Sequence, residues 1–132
     1  MYLVNGKEYN CSVAIVQDIF NDKWKLGIIW HLLAGEKRYK ELFEEVHDIT
    51  QKTLTVKLRE LEEKQLVTRK VFPEIPPKVV YSLTPIGERL RPLLKDMYDW
   101  GIDYVKECGE FSDNAVCTFT CTDNNLGKKQ ID

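Results

Sequence analysis

Ile49-Thr-Gln-Lys-Thr-Leu-Thr-Val-Lys-Leu-Arg-Glu-Leu-Glu-Glu63 has a helical period, and Leu66-Val-Thr-Arg-Lys-Val-Phe72, Pro73-Glu-Ile-Pro-Pro77 and Lys78-Val-Val-Tyr-Ser-Leu83 follow it with the period of a hairpin. This stretch decides the fold. Leu54, Leu58 and Leu61 make one apolar stripe, and Thr50 stands where an N-cap belongs. At 100° per residue, Lys52, Val56 and Arg59 fall within about 40° of the direction opposite Leu54, with Thr55 on the flank. The two β-branched runs predict paired strands. The proline-rich segment between them cannot donate ladder hydrogen bonds, so it must project as a loop.

Upstream the periodicity predicts three short helices. Ser12 is placed to cap the first, with Ile15, Val16, Ile19 and Phe20 inward, and Asn21-Asp22 breaks it. Asp22 is placed to cap the second, which runs to Ala34 on Trp24, Ile28 and Leu32 and stops at Gly35. The third covers Tyr39 to Val46. Downstream, Thr84-Pro85 predicts one helix reaching Cys108, with Ile86, Leu90, Leu93, Leu94, Met97, Trp100 and Tyr104 on its apolar face. Its length would be about 35 Å, more than a core of this size covers. A second copy is the expected partner, meeting Leu90, Leu94, Met97, Trp100 and Tyr104 together with Ile15 and Ile19. The expected fold is therefore mainly α with a small β wing, a winged helix-turn-helix with a long C-terminal dimerisation helix. It occupies residues 1–108, and 109–132 form an extension in which Val116–Thr122 alternates as a short strand would.

Composition narrows the function. The 132 residues are 43% hydrophobic and 11% aromatic, enough for one modest core and too apolar for a disordered chain. No apolar run approaches membrane-spanning length, and Met1-Tyr-Leu-Val-Asn-Gly-Lys7 has no apolar signal core, so a cytoplasmic protein is expected. Net charge is −2, yet Thr50 to Lys70 holds six cations against three glutamates. Such a basic stretch is an electrostatic footprint for a polyanion or, more blandly, a solvated helix face. The four cysteines form no C-x-x-C and no disulfide framework, and neither His31 nor His47 is near them in sequence. No metal site and no cofactor are expected. His31 reads as a hydrogen-bonded helix histidine, His47 as solvated, and the run Glu41, Glu44, Glu45, Asp48 as a solvated acidic face. No Ser–His–Asp set, phosphate-cradling glycine loop or H-E-x-x-H occurs, so an enzyme is not expected.

A helix anchored by leucines and carrying cations and small groups outward has the division a recognition helix needs. Arg59 or Lys52 can meet guanine or a phosphate, and Val56 or Thr55 a thymine methyl. Thr50 and Gln51 sit beside the unpaired N–H groups of the helix start, where a phosphate binds. Arg38, Thr53 and the wing residue Lys78 complete the expected contact set. Glu63 shares the outer direction and must lie beyond the groove. Two rivals remain open: a winged helix used only for protein interaction, and a thiol redox protein. Against the second, Cys117 and Cys121 on one strand would stand about 13 Å apart, too far for a disulfide.

The sequence resembles the HxlR-type winged-helix transcriptional regulators, distant relatives of MarR proteins, from Cys11 to about Gly101. The resemblance rests on Cys11, Asp22-Lys-Trp-Lys-Leu26, Arg38-Tyr-Lys-Glu-Leu42, Ile49-Thr-Gln-Lys-Thr-Leu-Thr55, Leu58-Arg-Glu-Leu-Glu62 and the run Pro73 to Gly87 in that order. It implies a bacterial or archaeal homodimer, joined through its terminal helices and bound to double-stranded DNA. With two-fold symmetry, its operator would be a pseudo-palindrome. It also implies that Cys11 matches a cysteine some members use to sense oxidants or electrophiles. From the residues alone, Cys11 stands at a helix start with Lys7 nearby, which favours a reactive thiol; the alternative is a small cysteine that packs and never reacts. One departure is Gln65, where such sequences carry glycine; a left-handed residue there would be strained by about 1 kcal/mol. The other is the extension beyond Gly109, which has no counterpart in the shared pattern.

Overall fold

In the computed structural model, which describes residues 1–112, the chain runs β1 (Tyr2–Val4), β2 (Lys7–Tyr9), α1 (Ser12–Ile19), α2 (Lys25–Leu33), β3 (Lys37–Arg38), α3 (Tyr39–Glu45), α4 (Gln51–Glu63), β4 (Val67–Phe72), β5 (Lys78–Leu83), α5 (Pro85–Glu88) and α6 (Arg91–Cys108). The strand expected at Val116–Thr122, with Cys117 and Cys121, lies outside the described residues. Four helices, a wing and a long closing helix after the short α5 make the expected winged helix-turn-helix. No helix among the described residues is long and apolar enough to cross a membrane.

The core forms where the leucine stripe of α4 meets α2 and α3. Ile28, Ile29, Trp30 and Leu32 of α2, Leu42 of α3 and Leu54, Leu58 and Leu61 of α4 are all buried. The wing is the β4–β5 hairpin, extended by β3 in the order β3-β5-β4. Its register pairs Arg69 with Tyr81, Lys70 with Val80 and Phe72 with Lys78, while β3 sets Arg38 against Val80.

The junction between α4 and the wing is a complete Schellman turn. Leu66 N–H donates to the Leu61 carbonyl at 3.0 Å and Gln65 N–H to Glu62 at 3.0 Å. Gln65 takes φ +64°, the left-handed conformation anticipated from its place after the helix. The turn is then stitched to α5: Thr84 Oγ1 donates to the Gln65 carbonyl at 2.8 Å and Thr84 N–H to Leu66 at 3.0 Å. Gly87 lies so close beneath that an added Cβ would fall 2.4 Å from the Leu66 carbonyl oxygen.

The structure corrects four local readings. Cys11, not Ser12, is the N-cap of α1, and Ser12 is its first helical residue. Asp22 does cap α2, accepting from Trp24 N–H at 2.7 Å and Lys25 N–H at 3.0 Å, but the chain bends through 22–24 and the helix proper starts only at Lys25. The single helix expected from Pro85 to Cys108 is two, because Pro92 has no N–H to give the Glu88 carbonyl and its ring crowds that oxygen. Finally, residues 2–9 form a hairpin that the sequence reading missed. Asn5 (φ +49°) and Gly6 (φ +82°) turn it, as an Asn-Gly pair favours. It is held to α1 by Asp18, whose Oδ2 accepts from Lys7 Nζ at 2.7 Å and from the Tyr9 hydroxyl at 2.8 Å.

Candidate nucleic-acid interface

Thr50 opens α4 as expected: its Oγ1 accepts from Thr53 N–H at 3.1 Å. Lys52, Val56 and Arg59 are exposed on the side opposite the buried leucines, and Gln51 stands exposed at the helix start. Two other expected contacts have further tasks. Tyr39, at the start of α3, places its hydroxyl 3.0 Å from both the Gln51 carbonyl and Thr55 Oγ1. The half-buried Thr55 therefore fixes the angle between α3 and α4 and has only its methyl left to offer a base. Thr53 is likewise half-buried, 3.0 Å from Thr50 Oγ1, so its hydroxyl supports the cap.

A partly buried ion network clamps α4 from behind. Asp22 Oδ2 lies 3.1 Å from Lys57 Nζ and 3.4 Å from Lys25 Nζ, and Glu60 Oε1 lies 2.9 Å from Lys25 Nζ. Burial would raise the Asp22 carboxyl, but the N–H groups of Trp24 and Lys25 and the two ammonium groups outweigh it and hold it below the usual range. Glu60 is held low chiefly by its bond to Lys25. Lys57, counted in the basic stretch of the sequence, is thus spent on the scaffold.

Cations divide by task. Lys7, Lys25, Lys37, Lys57, Arg91 and Lys95 each have a carboxylate within 4 Å. Arg38, Lys52, Arg59, Arg69, Lys70 and Lys78 have none among the described residues, and all six lie on α4, β3 or the wing. Lys23, Lys40, Lys64, Arg89 and Lys106 have none either, but between α4 and the wing two such guanidinium groups share one cleft. That cleft, about 480 Å³, is lined by Arg59 and Arg69 with Tyr39, Tyr81 and Glu62. Lys70 and Lys78 stand 5.4 and 5.1 Å from the Phe72 ring, so the wing gathers both ammonium groups around one aromatic ring. Sequence reasoning missed Arg69; strand alternation places it on a face, but only the register with Tyr81 shows which one.

The residues expected at a dimer interface separate into two sets. Leu94 is only 3% exposed and fills the chain's own core beside Trp30 and Leu26, so it is not on the open face. Ile15, Ile19 and Leu90 are half-buried, the last two against that core. Met97, Trp100 and Tyr104 are exposed, the last two rings stacked at 5.3 Å, and Leu93 of α6 and Val13 of α1 join them as exposed apolar groups.

Cys11 is exposed, as is Cys108 at the far end of α6. The ammonium of Lys7, expected to act on Cys11, is given to Asp18 instead. His31 is fully buried with Nδ1 3.3 Å from Glu45 Oε1, and His47 is exposed beside Asp48. Glu45 is not on a solvated face as expected: its second oxygen meets Lys37 at 3.3 Å, tying α3 to β3.

The profile of a family described as HxlR-like helix-turn-helix matches residues 19–108. An uncharacterized HTH-type transcriptional regulator of Bacillus subtilis, YkvN, is 40% identical over 101 residues, covering 76% of this chain and 86% of that one. The redox regulator HypR in its oxidized form superposes with a TM-score of 0.66 at 41% identity, over 70% of this chain and 96% of HypR. The reduced form of the transcriptional regulator YodB from B. subtilis gives 0.67 at 35% identity, over 78% of this chain and all of YodB.

Proposed function

Because the chain belongs to the HxlR-like helix-turn-helix family and is an HTH-type transcriptional regulator, not an enzyme, we propose that it acts as a cytoplasmic homodimer on a pseudo-palindromic operator and responds to thiol chemistry at Cys11. The observation that carries the DNA reading is the gathering of Arg38, Lys52, Arg59, Arg69, Lys70 and Lys78, none with a carboxylate within 4 Å, on α4, β3 and the wing, with Arg59 and Arg69 lining one cleft. In this reading α4 enters the major groove, with Lys52 and Arg59 reaching bases or phosphates and Val56 and the Thr55 methyl meeting thymine. Thr50 and Gln51 bring the helix start to a phosphate, Thr53 supports that cap, and Arg38 and Lys78 bind backbone on either side. Residues 1–108 form the working unit and 109–132 an extension to it.

Dimerisation runs through the exposed stripe Met97, Trp100 and Tyr104, with Leu90, Ile15 and Ile19 at its margin. Half-sites then lie about 10 bp, or a multiple, apart. The thiol reading is supported by the exposure of Cys11 at the start of α1 and by a relative described as a redox regulator, HypR.

Electrophoretic shift with genomic fragments, followed by sequencing of the retained DNA, tests the reading. Arg59→Ala should cost about 1–3 kcal/mol on the selected site if it reads a base. Lys78→Ala should weaken all sequences alike and flatten the salt slope by about 0.9. Wild-type binding by both variants would overturn the assignment of α4 and the wing, and a purely monomeric species in micromolar sedimentation would overturn the dimer. For the thiol, Cys11 should outpace Cys108 under limiting iodoacetamide, and Cys11→Ser should abolish oxidant sensitivity of DNA binding.

A further inference from the structure

The cleft between α4 and the wing favours the phosphate over the base as the contact of Arg59, and it adds Arg69, which the groove reading by α4 does not use. Arg59 and Arg69 face into it from opposite walls, and neither has a carboxylate within 4 Å. Glu62 is the one acidic residue of the lining, so the cleft keeps a positive balance. Its floor is Tyr81, 9% exposed and directly opposite Arg69 in the β4–β5 register, which makes the two side chains neighbours on one face. Burial pushes the Tyr81 phenol up, and the adjacent Arg69 guanidinium, through charge and hydrogen bonding, pulls the other way. The α4 wall cannot drift, because the Tyr39 hydroxyl binds the Gln51 carbonyl and Thr55.

We propose that this cleft clamps one phosphodiester of the DNA backbone between Arg59 and Arg69, with Tyr81 as the positioning residue that aims the Arg69 guanidinium. The inference rests on the DNA reading above and adds a contact that reading lacks. Two planar guanidinium forks facing across a gap match the oxygens of a phosphate, whereas a lysine would supply only a point charge. A strand that leaves the groove read by α4 and passes toward the wing crosses this gap. The clamp would therefore set the register between recognition helix and wing without reading sequence. The cleft is open to water, so a free anion gains little there; a strand already held on both sides gains much more.

Anisotropy titrations of the full chain on its selected operator, scanned with single methylphosphonate substitutions, test this. Arg69→Ala should lower affinity by about tenfold on every sequence and reduce the salt slope by about 0.9. One methylphosphonate position should weaken wild type clearly more than it weakens Arg69→Ala, the non-additivity that marks a direct pair. Tyr81→Phe, which keeps the packed ring, should lose a smaller factor at that same position, and Arg69→Lys should not restore wild-type affinity. Inorganic phosphate at matched ionic strength should compete no better than chloride. Specific displacement of DNA by inorganic phosphate would assign the cleft to a free anion and overturn the proposal. Wild-type affinity in Arg69→Ala, with Arg59→Ala and Lys78→Ala impaired, would overturn the clamp and leave the DNA reading standing. Should all three bind as wild type does, the DNA reading itself falls. Arg69 is exposed, so Arg69→Ala decides the matter even if Tyr81→Phe proves too unstable to assay.

Discussion

Gln65→Gly should stabilise the protein, a direction opposite to most glycine substitutions. Gln65 is the left-handed residue of the Schellman turn that ends α4, at φ +64°. A side chain in that region costs about 1–2 kcal/mol. Glycine removes that strain but returns about 0.4–1 kcal/mol to the unfolded chain as extra backbone freedom. No native contact offsets the gain: the Gln65 side chain is exposed, and the bonds at this turn are made by its backbone N–H and carbonyl. The balance is a gain of about 0.5–1 kcal/mol, a rise in melting temperature of roughly 2–6 °C for a domain of this size. Urea and thermal unfolding of wild type, Gln65→Gly and Gln65→Ala measure it. Alanine keeps the strain and should fall at or below wild type. A glycine variant that melts lower than wild type would refute the strain argument and mean that the glutamine holds the wing by some contact of its own.

Three further outcomes are expected. Gly87→Ala should destabilise by about 2–3 kcal/mol in urea titration, since the new methyl meets a backbone carbonyl rather than a side chain that can swing away. Tyr39→Phe should lose about 1–2 kcal/mol of stability, from two hydrogen bonds and the stranded partners they leave. It should also weaken DNA binding several-fold by freeing the angle between α3 and α4; unchanged affinity with lowered stability would confine Tyr39 to the scaffold. Acid should act through the ion network: Asp22 and Glu60 are held low in the fold, so their contribution is present above the unfolded carboxylate values. It is lost as pH falls through the folded ones, that is, below about pH 4. Asp22→Asn should flatten that acid limb of a stability–pH profile.

What could be read from the sequence followed from local rules. The α4 stripe, its Thr50 cap, the proline-limited wing and the left-handed Gln65 each depend on neighbours within four or five positions. Two misses were legible in principle: Asn5-Gly6 is a strong hairpin turn, hidden because its strands are only three residues long, and Pro92 marks a helix break that the continuous apolar face concealed. The remainder needed tertiary register. Nothing in the order of residues says that Lys57 turns back to Asp22 while Arg59, two positions on, stays free, or that Leu94 turns inward while Met97 does not. Arg69 became a candidate only once β5 set Tyr81 opposite it.

The division between paired and unpaired cations bears on how such a regulator can diverge. Exposed, solvated side chains with no internal partner are exchanged at almost no cost to folding, usually within about 0.5 kcal/mol. Lys52 and Arg59 can therefore be retuned one at a time toward a different DNA sequence while the chain still folds. Lys25 and Lys57 have less freedom, since between them they neutralise both Asp22 and Glu60. A duplicated copy of this chain would thus explore new operators through its solvent-facing alphabet alone, with the helix angles inherited intact.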